Sequence, residues 1–141
     1  MRPNKTDYYL DIALAVSKRS TCLRRHYGAV IVNNDEIVST GYNGSPRNGV
    51  NCCDIGHCMR AEAKRNCNYE ECKSVHAEQN AMISASRKEM LGSTLYLSCE
   101  YKNDYGKWIE DKTEEVKPCP ICQRMIMNSG ITKVVTRNSH C

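Results

Sequence analysis

Phenylalanine is absent from this chain of 141 residues, tryptophan occurs once, and aromatics together make up 6% of it. That scarcity argues against a surface that stacks splayed RNA or single-stranded bases, which relies on aromatic faces. An excess of one charge is also lacking. The 20 Lys and Arg against 16 Asp and Glu leave a net charge of +4, too mild for a nucleic-acid groove. No apolar run approaches the roughly 20 residues that span a bilayer. The opening segment, from Met1 to Leu10, lacks the apolar stretch of a secretory signal. The expectation is a cytoplasmic protein with neither a membrane nor nucleic acid as partner. There is no internal repeat and no low-complexity tract. A composition of 40% hydrophobic and 26% charged residues is that of an ordinary globular protein, and the length predicts one domain spanning 1–141.

Cysteine, in contrast, is abundant, with 10 in the chain. In a reducing compartment thiols serve metal ligation, catalysis or packing rather than disulfides. Only Cys119 and Cys122 form a C-x-x-C pair. Lys18, Arg19, Arg24 and Arg25 make a basic cluster, which either holds a phosphate or is a solvated helix end.

The apolar pattern predicts a helix over about 6–18, capped by Asn4 or Thr6, with Leu10, Ala13, Leu14 and Ser17 at helical spacing. Residues 28–33 and 36–40 read as a hairpin around an Asn34-Asp35 turn, followed by a loop over 41–46. The stretch 45–74 is the least regular. A second helix is predicted over 75–87, with Ala77, Ala81, Ser84 and Ala85 forming a small-residue face that can lie close against a sheet. A strand over 94–98, a third helix over 119–129 stopped by Gly130, and a strand over 131–136 complete the order α-β-β-α-β-α-β. Such an order predicts an α/β fold with helices covering a mixed sheet. The polar segment 101–117 reads as a flap or hairpin.

Two fragments carry chemistry: His76-Ala77-Glu78 and Pro118-Cys119-Pro120-Ile121-Cys122. Each opens a predicted helix, where partial positive charge favours a thiolate and a proline costs no hydrogen bond. One imidazole and two thiolates suit zinc, and three protein ligands leave a tetrahedral ion with a position for water. Glu78 is then uncommitted and can move that water's proton. The pattern H-x-E…P-C-x-x-C is the signature of zinc nucleobase deaminases. His76, Cys119 and Cys122 are therefore the expected ligands of one catalytic Zn2+, and Glu78 the expected catalytic acid–base. A structural zinc module explains the ligands but gives no reason for Glu78.

Longer stretches narrow the reading. Arg19-Ser20-Thr21-Cys22-Leu23-Arg24-Arg25, Gly28-Ala29-Val30-Ile31-Val32, Gly41-Tyr42-Asn43-Gly44 and Val75-His76-Ala77-Glu78-Gln79-Asn80-Ala81 together resemble the deoxycytidylate (dCMP) deaminases over nearly the whole chain. The resemblance implies the cytidine deaminase-like fold, three α/β/α layers around a central mixed sheet of four to five strands. It implies hydrolysis of dCMP to dUMP and ammonia by zinc-bound hydroxide with Glu78 as proton shuttle, supplying dUMP for thymidylate synthesis. By position it implies that Asn43 contacts the sugar or base and that Arg24 and Lys73 contact the 5′-phosphate. It further implies a homo-oligomer, a hexamer by family habit, with dCTP and dTTP as effectors and Mg2+ accompanying the nucleotide. Cys22, Cys52, Cys53, His57, Cys58, Cys67 and Cys72 either form a second, structural zinc site, as in some relatives, or pack as thiols.

Residues 101–117 depart from the family pattern as an insertion ahead of Pro118, and no fifth strand is evident after residue 136. Either the sheet is trimmed or the insertion contributes to it. The alternative functions are a tRNA adenosine deaminase and a non-catalytic structural zinc module. The first needs a broader basic surface and more stacking aromatics than this chain carries.

Overall fold

A short polar side chain starts the first helix. In the computed structural model, which describes residues 1–58 and 72–139, Asn4 caps α1 (Lys5–Ser17) by accepting a 2.8 Å hydrogen bond from the Asp7 N–H. Strands β1 (Arg25–Asn33) and β2 (Glu36–Tyr42) follow as an antiparallel hairpin. Asn34 and Asp35 have φ of 52° and 62°, the left-handed pair that a two-residue turn of matching twist requires. The Tyr9 hydroxyl donates to Asp35 Oδ1 at 2.6 Å, so α1 holds the turn it packs beside.

A single-turn helix, α2 (Cys52–Ile55), interrupts the irregular stretch. The continuous helix expected over 75–87 is two pieces, α3 (Ala77–Ile83) and α4 (Arg87–Met90). The break has a local cause. Ser86 Oγ accepts from the Glu89 N–H at 3.2 Å while Glu89 Oε1 accepts from the Ser86 N–H at 3.0 Å, a capping box that starts a new helix. Strand β3 (Thr94–Lys102) runs four residues beyond the expected end. Its extension pairs on one side with β1 and on the other with β4 (Trp108–Glu110), which comes from the polar insertion. Helix α5 (Pro120–Ser129) ends at Gly130, and β5 (Lys133–Val135) lies parallel to the start of β3.

The sheet has five strands in the order β2-β1-β3-β4, with β5 sharing the outer edge of β3. The insertion thus supplies the strand that the sequence left undecided. Helix α1 covers one face through Tyr9, Ala13, Val30 and Val32; the other face packs Ala29, Ile31, Leu95 and Leu97 against Ala77, Ala81 and Ile126 of α3 and α5. Both helix layers sit on glycine. A Cβ at Gly28 would lie 1.9 Å from the Ala13 carbonyl oxygen, and one at Gly41 would lie 2.4 Å from both the Ala77 oxygen and the Ala81 nitrogen. The small-residue face of α3 therefore meets a strand that has no side chain to hold it off.

Candidate active site

An antiparallel bridge sets the position of the first fragment. Val75 N donates to Gly44 O at 2.7 Å and Gly44 N to Val75 O at 3.1 Å, tying the residue before His76 to the loop that follows β2. His76 is the N-cap of α3, with extended backbone at ψ 153°. Gln79 Oε1 accepts from its N–H at 2.9 Å. The second fragment is built alike. Cys119 is the N-cap of α5, Pro120 occupies the first turn, and the Cys122 N–H points at Cys119 Sγ at 3.5 Å. Both fragments thus open helices, as their spacing implies.

The two helix starts converge. His76 Nδ1 lies 3.6 Å from Cys119 Sγ and 3.4 Å from Cys122 Sγ, and the three ligand atoms all fall within 4.8 Å of one another. A tetrahedral zinc with bonds of about 2.3 Å to sulfur and 2.05 Å to nitrogen separates those atoms by about 3.6 Å, so the donors fit the ion in type and spacing. Glu78 is 4% exposed and stands beside Cys122. Burial raises the Glu78 carboxyl pKa against the pull of its hydrogen bonds. Burial lowers that of the His76 imidazole. Burial and then the Glu78 carboxylate push the Cys122 thiol up. A buried carboxyl and thiol that resist ionising beside one another are the setting in which a divalent cation offsets negative charge, and the neutral imidazole is the form that binds a metal.

Asn43 sits at the junction of this cluster with the sheet. Its Oδ1 accepts from the Tyr27 N–H at 2.8 Å and its Nδ2 donates to the Arg25 carbonyl at 3.0 Å. It is 8% exposed, and each group keeps capacity for one further bond. Arg24 and Lys73 are exposed, each near a segment bonded to the loop over 43–45. Thr21 Oγ1 accepts from Ser45 N at 3.3 Å, and Val75, two residues after Lys73, pairs with Gly44. Among the described residues, His76, Cys119 and Cys122 form the one cluster with metal-ligand spacing. Cys22, Cys52, Cys53, His57, Cys58 and Cys72 do not converge in that way, and Cys67 lies outside the described residues.

One participant and one pairing escaped the sequence reading. Gln79 anchors the backbone of His76 and reaches Met125 of α5, Nε2 to Sδ 3.8 Å; the H-x-x-Q spacing of a capping box was the available signal. Arg25 pairs with Asp111 at 2.5 Å and donates to Cys99 Sγ at 3.3 Å, with its guanidinium over the Tyr27 ring at 5.5 Å. No local signal pairs Arg25 with a residue 86 positions away in the insertion.

The chain matches the family model described as the cytidine and deoxycytidylate deaminase zinc-binding region over residues 3–138. It is 33% identical to the deoxycytidylate deaminase of Schizosaccharomyces pombe, covering 99% of this chain and 38% of the yeast protein. It is also 33% identical to the deoxycytidylate deaminase of Mycobacterium phage D29, covering 95% of this chain and 94% of the phage protein. The chain thus spans about two fifths of the yeast relative and nearly all of the phage one. The crystal structure of the dCMP deaminase from cyanophage S-TIM5 in complex with dCMP and dUMP superposes with a TM-score of 0.63 at 28% identity, over 96% of this chain and 82% of that one. With two helix starts converging on a zinc-type donor set and a match that runs almost from end to end, the chain belongs to the cytidine and deoxycytidylate deaminase family.

Proposed function

We propose that this chain catalyses the hydrolytic deamination of dCMP to dUMP and ammonia, supplying dUMP for thymidylate synthesis. The observation that carries the reading is the convergence of His76, Cys119 and Cys122 next to buried Glu78. The likeness to deoxycytidylate deaminases, one of them solved with dCMP and dUMP, supports dCMP as the substrate. Zinc held by the imidazole and two thiolates would lower the pKa of a water to about 7 and so make hydroxide available at neutral pH.

Glu78 carries the protons. It takes one from the attacking water and delivers it to N3 of the cytosine ring, then takes the second from the hydroxyl now on C4 and passes it to the departing amine. The water oxygen bonds to C4, the bond from C4 to the exocyclic nitrogen breaks, and ammonia leaves. A carboxyl whose pKa is raised by burial is suited to both halves of that cycle. Asn43 has one donor and one acceptor position left for the sugar or base, and Arg24 and Lys73 supply cations for the 5′-phosphate.

Assembly as a homo-oligomer, control by dCTP and dTTP, Mg2+ accompanying the nucleotide and a cytoplasmic location belong to the same proposal and rest on the family resemblance. No helix among the described residues is long and apolar enough to cross a membrane. The function is tested by ammonia release from purified protein given dCMP, dCTP, cytidine or a tRNA anticodon stem in parallel. Turnover of dCMP is the expected result; release from the RNA alone, or from none of the four, overturns the assignment. Zinc content measured on the same sample reads one ion per chain for the catalytic site alone, and a second would assign the remaining cysteines.

A further inference from the structure

Behind the loop that carries Arg24 lies a polar cluster that the reaction itself does not use. His26 of β1, Glu100 of β3 and Glu110 of β4 stand in one register row across the sheet. The His26 side chain is 12% exposed. Its Nδ1 lies 2.8 Å from Glu100 Oε1 and its Nε2 lies 2.9 Å from the Cys22 carbonyl oxygen. A carboxylate and a carbonyl only accept, so each ring nitrogen faces an acceptor. The Trp108 ring stacks on the imidazole with centroids 3.6 Å apart and planes inclined by 12°. Lys18, the C-cap of α1, binds the other Glu100 oxygen at 2.9 Å, and Glu110 is taken up by Arg137 at 2.6 Å.

The placement of this ring matters for what it holds. Thr21 is fastened to the loop after β2 through its hydroxyl and to α2 through its carbonyl, which accepts from the Cys53 N–H at 3.1 Å. The next residue, Cys22, is fastened to His26. These successive bonds fix the direction in which the chain runs from Thr21 to Arg24. We propose that His26 is a positioning residue for nucleotide binding: its bond to the Cys22 carbonyl, braced by Glu100 and the Trp108 stack, aims Arg24 at the 5′-phosphate. The inference rests on the dCMP reading above. It also assigns a task to the insertion, whose hairpin exists to bring Trp108 over a ring on the neighbouring strand but one.

The test exploits the two nitrogens. An Asn amide reaches the Nδ1 position and a Gln amide the Nε2 position. His26→Asn therefore keeps a donor for Glu100 and loses the Cys22 bond, whereas His26→Gln keeps the Cys22 bond. Turnover of dCMP and of deoxycytidine, which lacks the phosphate, is measured for both variants and for Trp108→Ala, with melting temperature and zinc content confirming folded protein. For His26→Asn the KM for dCMP is expected to rise roughly tenfold with kcat kept, the pattern of lost uniform binding. Its parameters for deoxycytidine stay unchanged, and His26→Gln stays within about threefold of the parent. Trp108→Ala shows a smaller rise in the same direction and carries the test if His26→Asn does not fold. An unchanged KM for dCMP in folded His26→Asn, or equal losses for both substrates, overturns the positioning role. A parent protein that turns over neither substrate overturns the dCMP reading first, and this inference with it.

Discussion

Replacing Gly41 by alanine tests how the sheet and the metal site are linked. The added Cβ would lie 2.4 Å from Ala77 O and Ala81 N, both backbone atoms of α3, so no side-chain rotation relieves the clash. Ordinary contact at about 3.4 Å or beyond requires α3 to withdraw by about 1 Å. Overpacking of this kind costs about 2 kcal/mol. With an unfolding entropy near 2 cal/mol/K per residue, that lowers Tm by about 7 °C. Because His76 is the N-cap of α3, the same shift moves its imidazole away from the two thiols at the start of α5, whereas a metal site tolerates about 0.2 Å. Zinc affinity, measured by competition with a chromogenic chelator, falls by about tenfold or more. Gly28→Ala is the control. Its Cβ meets the Ala13 carbonyl at 1.9 Å and destabilises at least as much, but α1 carries no ligand and zinc affinity holds. Gly41→Ala with parental Tm and affinity, or Gly28→Ala losing zinc equally, would refute the coupling of sheet packing to the metal site.

Other outcomes follow from the same structure. Cys122→Ser removes a buried thiol from the donor set; zinc content by atomic absorption falls well below one per chain and dCMP turnover is lost. Gln79→Ala removes the acceptor from the His76 N–H, which costs about 1 kcal/mol of stability and weakens zinc binding severalfold in the chelator assay. Acid sensitivity is a third check. Burial raises the pKa of Asp111 and Glu100, but the Thr113 and Arg25 bonds to Asp111, and the Lys18 and His26 bonds to Glu100, hold both carboxyls below their ordinary range. A depressed folded pKa stabilises fully above the unfolded value and loses that contribution as pH falls through the folded one. Urea midpoints therefore hold near neutrality and drop below about pH 4.5. Asp111→Asn lowers the midpoint at pH 7 and flattens the acid decline; an unchanged acid slope would contradict the assignment of that ion pair.

Local signals made part of this molecule legible. The Asn34-Asp35 turn, the cap at Asn4, one of the two residues expected for it, and the stop at Gly130 depend on residues within a turn of one another, and each forms where the sequence places it. The convergence of His76, Cys119 and Cys122 was legible because each fragment opens a helix, a local feature, and the donor chemistry requires the two to meet. Pairings across the chain were not. Strand β4 makes the hairpin, one of the two shapes expected of the insertion, but nothing local signals that β1 lies on the other side of β3. Arg25 with Asp111 and His26 with Trp108 depend on the same distant pairing. The single helix expected over 75–87 fails for a local reason that was readable in principle. Ser86 and Glu89 have capping-box spacing, and the small-residue periodicity running through them masked it.

The central claim is that Glu78 moves the protons in a zinc site that hydrolyses dCMP. Its most direct test is ammonia release from dCMP by zinc-loaded Glu78→Gln beside the parent protein, with zinc content measured on both. The account predicts one zinc per catalytic site in each, release of ammonia by the parent, and a rate at least about a hundredfold lower in the variant. Full turnover by zinc-loaded Glu78→Gln would contradict it.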